Sequence, residues 1–106
     1  MPIFADKSVL VMELRQLKYF VEVGRLGSFS LASKSLFITQ STISQQIQKL
    51  EEELGVELLT RDTRHVTLND YGEQFLPCAV QVLEEARADA ERIKDVKALK
   101  VGTLSV

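Results

Sequence analysis

Residues 39–55 read TQSTISQQIQKLEEELG, and this stretch decides the fold. Ile43, Ile47, Leu50 and Leu54 recur at the spacing of one narrow apolar stripe on a helix. Thr39 is placed to cap that helix and Gly55 to stop it. At about 100° per residue, Ser41, Gln45 and Gln48 point away from the stripe. Ser44 and Lys49 flank them, and Gln40 sits near the open N-terminal end. A helix that only packs would spread charge over its free face. This one keeps an uncharged hydrogen-bonding face over its first turns and holds its acids back to Glu51, Glu52 and Glu53. The pattern calls for something polar lying against the leading turns.

Upstream, Glu13 to Leu26 reads as a helix, with Leu14, Leu17, Phe20, Val21 and Gly24 forming its buried stripe. Gly27 ends it. Ser28 or Ser30 can cap a second, shorter helix whose inner face is Ala32 and Leu36. Phe37-Ile38 then turns the chain, with Ile38 inward. Residues 1–12 show no period and are expected to be a poorly ordered N-terminal extension. Met12 directly precedes the first helical pattern and would suit a start there.

Downstream, Leu58-Leu59-Thr60 and His65-Val66-Thr67-Leu68 read as two short strands joined by a turn at Asp62-Thr63-Arg64. Val66 and Leu68 face in, and His65 and Thr67 face out. From Asn69, a good cap, the helical pattern returns and runs to about residue 95. Phe75, Ala79, Val82, Ala86, Ala90 and Ile93 form its stripe, with Leu76, Val80 and Leu83 beside it. Pro77 removes one helical hydrogen bond and is expected to bend this helix. The final LKVGTLSV, residues 99–106, alternates loosely and reads as a strand whose partners are not in this chain.

Composition narrows the classes of function. The 106 residues suit one small domain, 45% hydrophobic and 26% charged. No apolar run is long enough to span a membrane, so no membrane partner is expected, and the N-terminus lacks the pattern of a signal peptide. The single Cys78 excludes an internal disulfide and fits a reducing, cytoplasmic setting; it reads as a half-buried small hydrophobe. One histidine, no Gly-rich phosphate loop and no ligand cluster leave no catalytic set, no metal site and no cofactor to assign. The formal net charge of −2 speaks mildly against nucleic acid. Its distribution speaks the other way, because residues 28–50 hold no acid and carry Lys34 and Lys49.

Three helices, a two-stranded ribbon and a long helix make a mainly α, winged helix-turn-helix pattern. The segments LRQLKYF, GSFSLAS, TQSTISQQIQKLEEELGVELL and LNDYG go further. In this order and spacing they resemble the DNA-binding domain of the LysR-type transcriptional regulators. The resemblance runs from about Met12 to Gly72 and more weakly to Ile93. It implies a winged helix-turn-helix domain over 13–69, a linker and dimerisation helix over 70–95, and the start of an effector-binding domain over 96–106. The chain would then be part of a longer regulator, or a naturally short relative.

Position by position, the resemblance places Gln40 where the family uses a groove glutamine, and Ser44 at the family's helix serine. Gln45 stands where many members carry arginine, which favours adenine reading there. Arg61 and Arg64 match wing arginines, Asn69 replaces a usual threonine, and Ser33 replaces a common alanine. The candidate DNA-binding set is Ser28, Ser30, Lys34, Thr39, Gln40, Ser41, Thr42, Ser44, Gln45, Gln48, Lys49, Arg61, Arg64 and His65. The implied partners are double-stranded DNA at a pseudo-palindromic operator and a second copy of the chain. That copy would pair through Phe75, Ala79, Val82, Leu83, Ala86, Ala90 and Ile93. The resemblance extends this to a tetramer for a full-length protein, with a small-molecule inducer acting only through a C-terminal domain.

Plainer readings stand beside these. The Ser/Thr/Gln face is also what a solvated helix surface looks like. Two arginines near a turn, or one exposed histidine, are ordinary surface features. The long stripe could fold back on its own domain instead of pairing. A winged helix that docks on protein rather than DNA is the alternative function, and the acidic total favours it slightly.

Overall fold

Phe20, Val23, Ile43, Ile47 and Leu50 are fully shielded from solvent, and the elements are arranged around them. The computed structural model describes residues 12–62 and 65–100. Three helices come first: α1 (Leu14–Leu26), α2 (Phe29–Leu36) and α3 (Gln40–Leu54). Two antiparallel strands follow, β1 (Leu59–Arg61) and β2 (Val66–Leu68), with Leu59 opposite Leu68 and Arg61 opposite Val66. The chain then enters α4 (Asp70–Lys100). α1 packs against α2, α3 and α4, so it is the central post of the domain. This is the winged helix-turn-helix with a long trailing helix that the sequence pattern predicts.

Local chemistry explains the boundaries. The Glu13 N–H donates to Gln16 Oε1 at 3.1 Å, closing the start of α1. Gly27 and Gly55 end α1 and α3 with φ of 68° and 77°, left-handed conformations that favour glycine. Asn69 caps α4 by accepting from the Gly72 N–H at 2.9 Å, while its own amide donates to Glu57 O at 2.8 Å. One side chain thus starts the long helix and pins the loop before the first strand.

Several expectations shift. Leu14 is exposed rather than part of the α1 stripe, because it lies in the first turn, before α1 reaches its neighbours. Buried Gln16 takes part instead, its Nε2 donating to Oε1 of buried Gln46 on α3 at 3.2 Å. A hydrogen-bonded amide pair costs little to bury, so it sits among apolar residues without penalty. Leu54, the last of its stripe, is partly exposed at the helix end. Cys78 is exposed, not half-buried. α4 continues past 95 to Lys100, so Leu99 and Lys100 are helical rather than the head of a strand. Residues 101–106 lie outside the described residues, as do 1–11. Pro77 is accommodated inside α4. The carbonyl it leaves without a donor belongs to exposed Glu73, where water can serve.

The apolar stripe of α4 divides in two. Phe75, Ala79 and Leu83, expected in the dimer seam, pack on the chain's own core. The Phe75 ring lies 5.6 Å from that of Phe20, tilted by 49°. These residues fall within the first turns of α4, where α1 is in reach. Val82 and Ile93 stay exposed, and every residue from Glu91 to Lys100 is open to solvent. The helix has 31 residues, about 46 Å, so its far half extends beyond the domain.

Two joints hold the helices at their angles. Glu22 on α1 accepts from the Ser35 hydroxyl on α2 and pairs with Arg25 at 2.9 Å. The turn from α2 to α3 is tied by Ser33. Its carbonyl accepts from the N–H groups of Phe37 and Ile38, and its hydroxyl donates to Ile38 O. Phe37 there has φ of 58° and is 92% exposed.

Three outcomes are expected. A Cβ on Gly72 would stand 2.1 Å from the Leu58 carbonyl oxygen, which is backbone and cannot swing aside. Gly72→Ala should therefore cost ~2 kcal/mol or more, read as a lower urea midpoint. Ser35 first, and then Arg25, hold the Glu22 carboxyl below the ordinary carboxylate range. A lowered native pKa gives stability that is complete above the unfolded value of about 4.3 and fades as pH falls through the native value. Glu22→Gln should lower the melting temperature at pH 7, and the gap should close in acid; a gap constant across pH would contradict this. Phe37→Gly removes left-handed strain of ~1–2 kcal/mol and little buried surface. After the entropic cost of glycine, a gain of ~0.5 kcal/mol should remain, visible as a higher melting temperature.

Candidate nucleic-acid interface

The helix-turn-helix begins at Ser28, whose hydroxyl oxygen accepts from the Leu31 N–H at 3.1 Å. Ser28 is therefore committed as the cap of α2, whereas Ser30 and Lys34 are exposed on its outer side. At the start of α3, Thr39 Oγ1 accepts from the Thr42 N–H at 3.3 Å and donates to Thr42 Oγ1 at 2.8 Å. Thr39 and Thr42 thus shape the helix N-terminus as a pair. What α3 offers outward is Gln40, Ser41, Gln45, Gln48 and Lys49, all exposed, with Ser44 half-buried among them. The first turn of α3 carries no acid, so its dipole end stays positive.

The buried side of α3 explains why this face is presented. Ile43, Gln46, Ile47 and Leu50 are fixed against the core, which leaves the other arc no freedom to rotate inward. The sequence-predicted residues are brought together on one side of this helix, as the helical spacing requires. A B-DNA major groove about 12 Å wide admits one such helix, and glutamine amides match the N6/N7 edge of adenine.

The wing lies beyond the exit of α3. The turn after β1 is closed by the Asp62 N–H donating to His65 O at 3.1 Å and the His65 N–H donating to Asp62 Oδ1 at 2.7 Å. His65 is exposed, and Val66 and Thr67 point in and out as expected. Thr63 and Arg64 fall outside the described residues. The Val66 N–H donates to Gly27 O at 3.3 Å, which docks the second strand on the end of α1.

Arg61 and Glu51 make contacts that the sequence does not signal. Arg61 is more than a surface cation. Its Nη2 pairs with Glu51 Oε1 at 3.4 Å, and its guanidinium carbon lies 5.2 Å from the centre of the Phe29 ring. Glu51 is largely shielded from solvent, its side chain only 10% exposed. Its other oxygen accepts from the Leu58 N–H at 2.8 Å. Glu52 and Glu57 are exposed. No spacing rule pairs residues 51 and 61, because the turn at 55–58 brings them together. Ser33 was likewise missed, since a serine in place of alanine carries no sign of the turn it ties.

Among the described residues there is no group of His, Cys, Asp or Glu placed to hold a metal ion, and no helix long and apolar enough to cross a membrane. Comparison with known proteins matches residues 14–73 to the bacterial regulatory helix-turn-helix protein model of the lysR family. The HTH-type transcriptional regulator BudR of Klebsiella aerogenes is 43% identical over 95 residues, covering 90% of this chain and 66% of that protein. A probable cat1 operon transcriptional activator of Acinetobacter lwoffii is 47% identical over 85 residues, covering 77% of this chain and 28% of that protein. The chain therefore spans only part of the length of these relatives. Among solved structures, the BenM DNA-binding domain in complex with catB site 1 DNA is 40% identical with a TM-score of 0.78, covering 82% of this chain and 97% of that one. Fold, matched residues and relatives agree, and the chain belongs to the LysR family of bacterial regulatory helix-turn-helix proteins.

Proposed function

We propose that this domain is the sequence-reading part of a transcription regulator and binds duplex DNA as a dimer. The observation that carries the reading is the exposed, uncharged face of α3, Gln40, Ser41, Gln45 and Gln48, at the positive end of a helix with no acid in its first turn. Base edges reward neutral amides and hydroxyls at this place. A solved relative of the same fold is described as a complex with DNA, which supports the reading. Lys34, Lys49 and the wing arginines Arg61 and Arg64 supply phosphate attraction, and an arginine such as Arg64 suits a narrow minor groove.

So few cations bind weakly from one copy, and two copies on two half-sites double the phosphate contacts. The far half of α4 supports pairing. Val82, Ala86, Ala90 and Ile93 continue the stripe whose start is already packed on the core, and among the described residues nothing covers Val82 or Ile93. A helix extending alone with an apolar stripe favours a partner helix. A symmetric pair would place two α3 helices on a pseudo-palindromic site. An inducer would act on the whole regulator through a C-terminal domain.

Selection from random duplexes, followed by sequencing, should return a two-part motif. Affinity for the selected site should fall steeply with salt, with a log–log slope of about −0.9 for each phosphate neutralised. On variants of that site, Gln45→Ala should relax preference at one or two base positions, whereas Arg64→Ala should weaken all sites by a similar factor. Uniform losses from both changes would refute the division into reader and anchor.

A further inference from the structure

Glu51 makes contacts that join three separate elements. It sits near the exit of α3, its Oε2 accepts from the Leu58 N–H at the entry to the wing, and its Oε1 holds Arg61 at the end of β1. Arg61 in turn lies over Phe29 at the start of α2. Resting on the DNA-binding reading above, we propose that Glu51 is a positioning residue for DNA binding: its carboxylate fixes Arg61 and the wing relative to the recognition helix, so that both reach the duplex together.

The wing needs such a device. Two three-residue strands have little cohesion of their own, so their placement must come from contacts with the helices. The Val66 bond to Gly27 secures β2. Glu51 secures the approach to β1 and its last residue. A carboxylate at one edge and an aromatic ring on one face narrow the rotamers open to Arg61 before DNA arrives. Its side chain remains 41% exposed and the ion pair uses one edge of the fork, leaving donors for phosphate.

The sign of the effect separates this role from simple charge. An acid close to a polyanion repels it, so removing Glu51 should tighten binding if charge alone counts. Positioning predicts the reverse. The test measures dissociation constants of the full 106-residue chain on its selected duplex, at one salt concentration, with melting curves for every variant. Glu51→Gln is expected to bind about threefold more weakly while still folded at the assay temperature. The exposed neighbour Glu52→Gln should bind equally or more tightly. In an Arg61→Gln background, Glu51→Gln should cost less than it does in the unmodified chain, because the share of its effect that passes through Arg61 is already gone while the Leu58 bond remains. Arg61→Lys keeps the charge but not the fork or the stack, and should also weaken binding. This last variant decides the matter if Glu51→Gln fails to fold. Glu51→Gln binding as tightly as the unmodified chain, its full loss persisting without Arg61, or an Arg61→Lys variant of unchanged affinity would each overturn the proposal. If the unmodified chain binds no duplex, the DNA-binding reading fails, and this inference falls with it.

Discussion

The backbone of Leu58 is the joint through which the domain is assembled. Its N–H is taken by Glu51 of the recognition helix, and its carbonyl accepts from the Asn69 N–H at 3.0 Å. Its side chain is buried in the core, and the same carbonyl lies against Gly72 in the first turn of α4. The end of α3, the entry to the wing and the start of the long helix therefore meet at one residue with both polar backbone groups satisfied. That explains a glycine inside an otherwise regular helix, which is unfavourable by propensity alone. Close backbone approach is worth more here than helical preference, because it sets the direction in which α4 leaves.

The recognition helix is oriented by its hidden side. Three aliphatic residues and one amide fix its roll angle, and the Ser33 tie and the Thr39 cap fix its entry. The open arc can then be chosen for chemistry. Amides and hydroxyls there are poor at binding anything by charge and good at distinguishing donor and acceptor patterns. Cations are left to α2, the end of α3 and the wing. This separation lets attraction and discrimination change independently, since phosphate contacts carry no sequence information.

Much of this was legible in the sequence, and the failures have a common cause. Helix number, order and caps follow from period and from Thr39, Gly55, Asn69 and Gly27. The inward stripe of α3 and the outward set Ser41, Gln45 and Gln48 follow from rotation by 100° per residue. Periodicity cannot tell which molecule covers a stripe, so the α4 stripe read as one seam. It is in fact shared between the chain's own core at Phe75, Ala79 and Leu83 and the uncovered positions Val82 and Ile93. Nor does periodicity report contacts made across a turn. Gln16 with Gln46, Glu22 with Ser35 and Glu51 with Arg61 join residues on different elements, and no spacing signals any of these pairings. Polar pairs of this kind carry no hydrophobic signal. They are visible only once packing has brought the elements together.

A domain of net charge −2 is a poor polyelectrolyte ligand, and this constrains how it can work. With so few cations, long-range attraction to a polyanion is weak. Affinity must come from several short-range contacts made at once. Each of them is lost if the helix and the wing approach at the wrong separation or if only one half-site is engaged. On the proposed reading, rigid coupling between α3 and β1 and pairing through α4 would answer the same need at two scales. The first keeps contacts within one domain simultaneous, and the second does so between two. Weak attraction becomes useful under that arrangement. On that reading a site that fails to satisfy every contact would be left quickly, and the discrimination would fall to Gln40, Ser41, Gln45 and Gln48, the exposed face of α3.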